Sequence, residues 1–136
     1  MIVSLYAGIL ALMFVLLATM TIRQRYKHQV RVGDGGHQTL HQHIRAHANF
    51  AEYVPFALLM IALLEFQKTS IFTLHALGIA LVLGRLLHAY GLTRGETYEG
   101  AKFTGNMNFR MMGMLLTFAV YIICAVILLM SWAERY

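Results

Sequence analysis

Four apolar runs of about twenty residues each constrain this chain more than any other feature. They cover roughly residues 2–22, 44–65, 71–92 and 109–132. Twenty residues at 1.5 Å rise each match the roughly 30 Å of hydrocarbon in a bilayer. Lipid offers backbone N–H and C=O groups no partners, so each run must satisfy its own hydrogen bonds as a helix. The expected fold is therefore all-α: an integral membrane bundle of four helices, in one domain spanning the 136 residues.

Composition supports this and narrows the function classes. The chain is 59% hydrophobic and only 12% charged, about half the charge of a soluble domain. Its net charge of +5 does not point to nucleic acid, because the basic residues sit in short loops between apolar spans. That placement suits membrane topology and anionic headgroups. The one cysteine, Cys124, lies inside the fourth run and is read as packing. The first run has no basic segment ahead of it and no small-residue cleavage site, so it reads as a retained helix rather than a signal peptide.

The loop after the first span carries Arg23, Arg25, Lys27 and Arg31. The loop after the third carries Arg94, Glu96, Glu99 and Lys102. The loop after the second has only Lys68. The positive-inside rule then places the first and third loops in the cytoplasm and both termini outside it. Gly33-Asp34-Gly35-Gly36 is turn chemistry, with glycines able to take positive φ. Residues 93–108 read as a mobile polar loop without identifiable chemistry. Pro55 is expected to loosen the second helix near Ala51. Ala76, Ala80 and Gly84 recur every four residues, as a small-residue face for close helix packing does.

Polar groups gather at one end of every span. The segment Arg45-Ala46-His47-Ala48-Asn49-Phe50-Ala51-Glu52-Tyr53-Val54-Pro55, read as a helix, puts Arg45, Asn49 and Glu52 on one face. The third span ends with Arg85, His88 and Tyr90, and the fourth begins with Asn108 and Arg110. Glu52 and Arg85 should lie at a similar depth, about 10 Å in. A bare charge there costs on the order of 3 kcal/mol, so pairing them is the cheapest arrangement. Arg45 and Arg110 are then left without anionic partners, which a small anionic or zwitterionic ligand would supply. Arginine suits that role because its fork binds carboxylate bidentately and keeps its charge.

Arg45-x-x-x-Asn49-x-x-Glu52-Tyr53-x-Pro55 resembles the second-helix signature of the MAPEG family, membrane-associated proteins in eicosanoid and glutathione metabolism. Arg85-Leu86-Leu87-His88 resembles that family's third-helix arginine with a ring residue three positions on. Arg110 matches the position of the arginine proposed to activate the glutathione thiol. Length, helix layout and loop order agree over essentially the whole chain, and the glycine turn and short loops look most like the small bacterial branch.

The resemblance implies a homotrimer in the bacterial inner membrane with glutathione as co-substrate, bound between subunits near the cytosolic face. Arg45, Asn49, Glu52, Tyr53, Arg85 and His88 would hold the tripeptide. Arg110, or second Arg25, would stabilise the thiolate that attacks a hydrophobic electrophile arriving from the lipid. One position departs from the pattern: four residues after His88, where some members carry tyrosine, stands Leu92.

Plainer readings compete at several positions. Arg23, Lys27 and Arg31 are read as topology determinants, and Arg45 taken alone could snorkel to headgroups. His37/His41 and His43/His47 have i,i+4 spacing, but the pairs fall on different faces and no carboxylate or cysteine completes a metal set, so no metal is assigned. His75 is read as interfacial, and Met111, Met112 and Met114 as packing. The alternative function is a non-enzymatic scaffold of the same fold. A transporter is disfavoured, since its polar residues should continue across the bilayer.

Overall fold

A computed structural model describes residues 1–96, 98–99 and 102–134. Four helices account for most of it: α1 (Ile2–His28), α2 (Gln38–Phe66), α3 (Ile71–Tyr90) and α4 (Asn108–Ala133). All four are long and apolar enough to cross a membrane. The expected spans lie inside or beside these helices, but α1 and α2 extend well past the apolar runs into the polar loop between them. A single π-helical turn (Gly91–Gly95) continues α3. Two short antiparallel strands, β1 (Tyr98–Glu99) and β2 (Lys102–Phe103), come after it. Residues 93–108 are therefore more than a plain loop, although Gly100 lies outside the described residues.

The helices pack chiefly as α1 on α2 and α3 on α4, with α2 also touching α3 and α4. Leu10, Leu17, Phe50, Val54, Ile61, Leu81, Val120 and Cys124 form the seam between them. The outward surface is also apolar, with Leu12, Phe72, Ile122 and Leu129 exposed. A surface of this kind is solvated by lipid tails or by other chains, not by water.

The polar extension of α1 ends by a defined device. Gln29 takes the left-handed conformation (φ 56°), and Val30 and Gln29 donate their backbone N–H groups to the carbonyls of Arg25 and Tyr26, a Schellman-type stop. Arg25, Lys27 and His28 in the last turn face the negative end of the helix dipole. Gly33, Gly35 and Gly36 then all adopt positive φ, as their sequence suggested. Asp34 accepts hydrogen bonds from the Gly36 N–H (3.0 Å) and from His41 Nδ1 (2.7 Å). The Gly36 amide first, and His41 next, hold its carboxyl below the usual carboxylate range.

At the other end of the bundle, Glu65 accepts the backbone N–H groups of Ile2 and Val3, filling two of the orphan donors of α1. His75, expected at an interface, shares a 2.7 Å hydrogen bond with the buried Tyr6 hydroxyl.

Of the stripe spaced every four residues on α3, Gly84 lies in a close contact with α4. Ala76 is exposed and Ala80 partly buried, and Gly84 meets Gly113 and Thr117 of α4. The close approach runs through Gly84 and Gly91 on one side and Gly113 on the other. A Cβ at Gly113 would sit 2.5 Å from both the Gly84 carbonyl oxygen and the His88 nitrogen. Only glycine lets two backbones come this near, and this contact sets the height of α4 against α3.

Candidate functional site

The first turns of α2 carry one polar stripe. Gln38, Gln42, Arg45, Asn49 and Glu52 fall within about 80° of each other at 100° per residue. Sequence reading found the stripe from Arg45 onward; the two glutamines extend it by two turns toward the loop end. Beside its upper part lies a small polar cleft of about 150 Å³, lined by Gln38, His41, Gln42, Arg45, Leu92, Glu96 and Arg110. The structure thus brings Arg45 and Arg110 to one place, from helices 65 residues apart in the chain.

The cleft also holds Glu96, from the polar segment after α3. Arg110 Nη1 donates to Glu96 Oε1 at 2.8 Å, with the Glu96 side chain 3% exposed and that of Arg110 38%. Arg110 therefore has an acidic partner within the chain, contrary to expectation. The π-helical turn explains why Glu96 arrives here. Its N–H bonds the Gly91 carbonyl five residues back at 2.9 Å, and Gln42 Nε2 donates to its carbonyl at 2.8 Å. A Cβ on Gly91 would stand 2.5 Å from the Arg110 nitrogen, so turn and helix start are in direct contact. A π turn leaves no trace in a 3.6-residue hydrophobic period, and so was not legible.

Arg85 and Glu52 do not meet within the chain, which corrects the expected pair. Glu52 is exposed on the outward face of α2. Arg85 faces α4 and is 1% exposed. Its Nη2 donates to Thr117 Oγ1 at 2.6 Å and lies 3.4 Å from the Gly113 carbonyl oxygen and from Met114 sulfur. The guanidinium also sits 5.5 Å from the Tyr53 ring centroid, within cation–π range. Its Nε and Nη1 have no hydrogen-bond partner among the described residues. The physical reason is register: Gly84, Arg85 and His88 share the face of α3 that lies against Gly113 and Thr117, whereas Glu52 points away from the bundle.

The other predicted residues divide in the same way. Asn49 is buried and donates back to the Arg45 carbonyl at 2.8 Å, within its own helix. Tyr53 is half-buried, and its carbonyl accepts the Tyr121 hydroxyl at 2.6 Å. His88, also buried, places Nδ1 3.4 Å from the Arg110 carbonyl oxygen. Arg25 lies apart from Arg110: its Nη1 holds the carbonyls of Arg31 (3.2 Å) and Gly33 (2.9 Å), bracing the turn after α1.

Chemically, the cleft offers two guanidinium groups, two amides and one carboxylate that already engages one of the cations. It can hold carboxylates by their oxygens and can stabilise an anion that forms beside Arg110.

These features define a polytopic membrane protein of four helices with an arginine-lined polar cleft at one end of its bundle. The MAPEG family model matches residues 3–130. The chain belongs to the MAPEG family, as its second-helix signature suggested. It is similar to the inner membrane protein YecN of Escherichia coli, in strain K12 and in the O6:H1 strain CFT073. Each is 36% identical to it over 91 residues, covering 67% of this chain and 70% of the relative.

Proposed function

We propose that this chain is a glutathione-dependent transferase or peroxidase of the inner membrane. In this reading it works as a homotrimer and activates the glutathione thiol for attack on a hydrophobic electrophile. The observation that carries the reading is the convergence of Arg45 and Arg110 on one cleft, with the stripe continuing from it along α2 through the buried Asn49 to the outward-facing Glu52. A carboxylate on the outward face of a membrane helix is costly toward lipid. A neighbouring subunit with a bound ammonium group would cover Glu52 and satisfy it. The cleft within one chain, about 150 Å³, is below the roughly 300–1,000 Å³ of ordinary ligand sites. A tripeptide therefore needs walls from a second subunit, which supports the trimer.

In the reaction, glutathione's carboxylates lie against Arg45 and its neighbours while the thiol faces Arg110. The thiol gives its proton to water, and the guanidinium stabilises the resulting thiolate. Each unit by which it lowers the thiol pKa corresponds to about 1.4 kcal/mol of preferential stabilisation. The thiolate sulfur then forms the new bond to the electrophile, whose leaving group departs with the electron pair. Arg25 is the second candidate for this role if a neighbouring subunit brings it near. An apolar groove of about 500 Å³, lined by Phe14, Val15, Phe50, Val54, Pro55 and Leu58 among others, opens on the opposite face of α2, toward α1. It suits an electrophile that partitions from lipid. By the positive-inside rule the cleft faces the cytoplasm, with both termini on the opposite side.

One observation favours the scaffold reading: Arg110 is already held by Glu96. The test is glutathione binding to the detergent-purified protein, with ultraviolet difference absorbance of the thiolate as the second readout. The enzyme reading expects saturable binding with a thiolate band at neutral pH. Arg110→Ala should keep binding and lose the band, and Glu52→Ala should weaken binding itself. A folded protein that binds no glutathione at millimolar concentration would leave the scaffold.

A further inference from the structure

A second cleft, separate from the one that joins Arg45 and Arg110, opens on the other side of α2's first turns. It has a volume of about 300 Å³ and lies between the end of α1, the start of α2 and the π-helical turn. Thr39 and His43 line it, whereas Gln38, Gln42 and Arg45 line the first cleft. At 100° per residue the two sets point roughly 100° apart. The π turn serves both clefts, sending Glu96 to the first and Arg94 to the second.

The chemistry of the second cleft is one-signed. Arg23 comes from α1 and Arg94 from the π turn, and among the described residues no acidic side chain lines the cleft. Neither guanidinium has a hydrogen bond or acidic partner among the described residues. Two of the lining residues also carry buried polar atoms with no hydrogen-bond partner among the described residues: Nδ1 of His43, a residue only 7% exposed, and Oε1 of Gln24. Leaving such an atom unpaired costs about 1–3 kcal/mol. An amide rotated by half a turn presents its NH₂ group instead, and a neutral imidazole can carry its proton on Nδ1. The set then consists of two forked cations, an amide donor, an imidazole donor and the Thr39 hydroxyl. It lies at the level where α1 leaves the apolar run, the depth of lipid headgroups. Basic pockets between membrane helices at that depth take phosphate-bearing heads.

We propose that this cleft binds a phosphate group, either that of an anionic lipid head or free phosphate, held by Arg23 and Arg94 with Gln24, Thr39 and His43. A tetrahedral oxyanion presents several acceptors to converging donors and neutralises both arginines together. The proposal does not depend on glutathione chemistry.

The full chain, purified and delipidated in a neutral detergent, is titrated with phosphatidylglycerol and separately with inorganic phosphate. Phosphatidylcholine is the zwitterionic reference. Bound species are read by native mass spectrometry, and protection by the shift of the thermal unfolding midpoint. The wild type should retain phosphatidylglycerol at least tenfold more tightly than the Arg23→Gln/Arg94→Gln variant. Lys27→Gln, an exposed charge at the same end but outside both clefts, should match the wild type. If inorganic phosphate also protects and displaces the lipid, the ligand is the free ion; if only the lipid binds, it is the headgroup. Equal binding by wild type and double variant would overturn the proposal. So would an equal loss in Lys27→Gln, which would reduce the effect to surface charge, or no binding of either probe.

Discussion

Replacing Gly113 by alanine tests the contact that positions the site. The added carbon would stand 2.5 Å from the Gly84 oxygen and from the His88 nitrogen, whereas ordinary contact begins at 3.4 Å, so each neighbour must retreat by roughly 0.9 Å. Both obstructing atoms are backbone, so no rotamer change relieves the clash and α3 must move away from α4. Overpacking typically costs 1–3 kcal/mol, and the upper end applies here: about 3 kcal/mol, or roughly a hundredfold in the folding equilibrium. Gly8→Ala is the matched control, because nothing lies within 4 Å of a Cβ there. That change should be neutral or stabilise by up to about 1 kcal/mol through helix propensity. Denaturant unfolding in detergent micelles, monitored by the helical circular dichroism signal, measures both. If Gly113→Ala and Gly8→Ala were equally stable, the glycine contact would not be what holds α3 against α4.

Three further outcomes are expected. Thr117→Val removes the 2.6 Å acceptor of Arg85 inside a dry interface and should cost about 1–3 kcal/mol in the same unfolding assay; no change would mean the guanidinium finds another acceptor. Glu96→Ala should cost only about 1 kcal/mol, since Arg110 is 38% exposed and rehydrates once released; a loss of several kcal/mol would show the pair to be effectively buried. Asp34 should titrate below 3.8 when monitored by carbon NMR. Because its pKa is lowered on folding, its contribution is complete at neutral pH and is lost as pH falls through the lowered value. His41→Ala should return the midpoint only part of the way, because the Gly36 amide is the larger cause. A midpoint at or above the ordinary value would contradict the turn geometry.

Hydropathy made the four helices legible because a bilayer imposes both length and composition. The helix ends were less so: residues 23–28 and 38–43 are polar yet helical, and polarity alone does not separate a helix end from a loop. The stripe from Arg45 to Glu52 was readable from its spacing, and Arg110 from its place at the start of the last span. Spacing could not tell which way each face turns. Arg85 and Glu52 share a depth, but one faces α4 and the other faces outward. Likewise a repeat every four residues does not distinguish a face toward lipid from a face toward a helix: Ala76 is exposed whereas Gly84 of the same repeat meets Gly113. Glu96 was hidden for a different reason: its position depends on a wide turn that no side-chain pattern announces.

That wide turn makes the polar end of the bundle sensitive to chain length rather than to side-chain identity. A π turn holds one residue more than the α turn it replaces. Deleting one residue from Gly91–Gly95 would let the helix close in ordinary register and swing the downstream residues by roughly 100°. Glu96 would leave Arg110, and Arg94 would leave Arg23, with every charged group still present in the sequence. Two members of such a lineage could therefore share all their arginines and differ in both clefts through a single-codon gap, a change that alignment scoring treats as trivial.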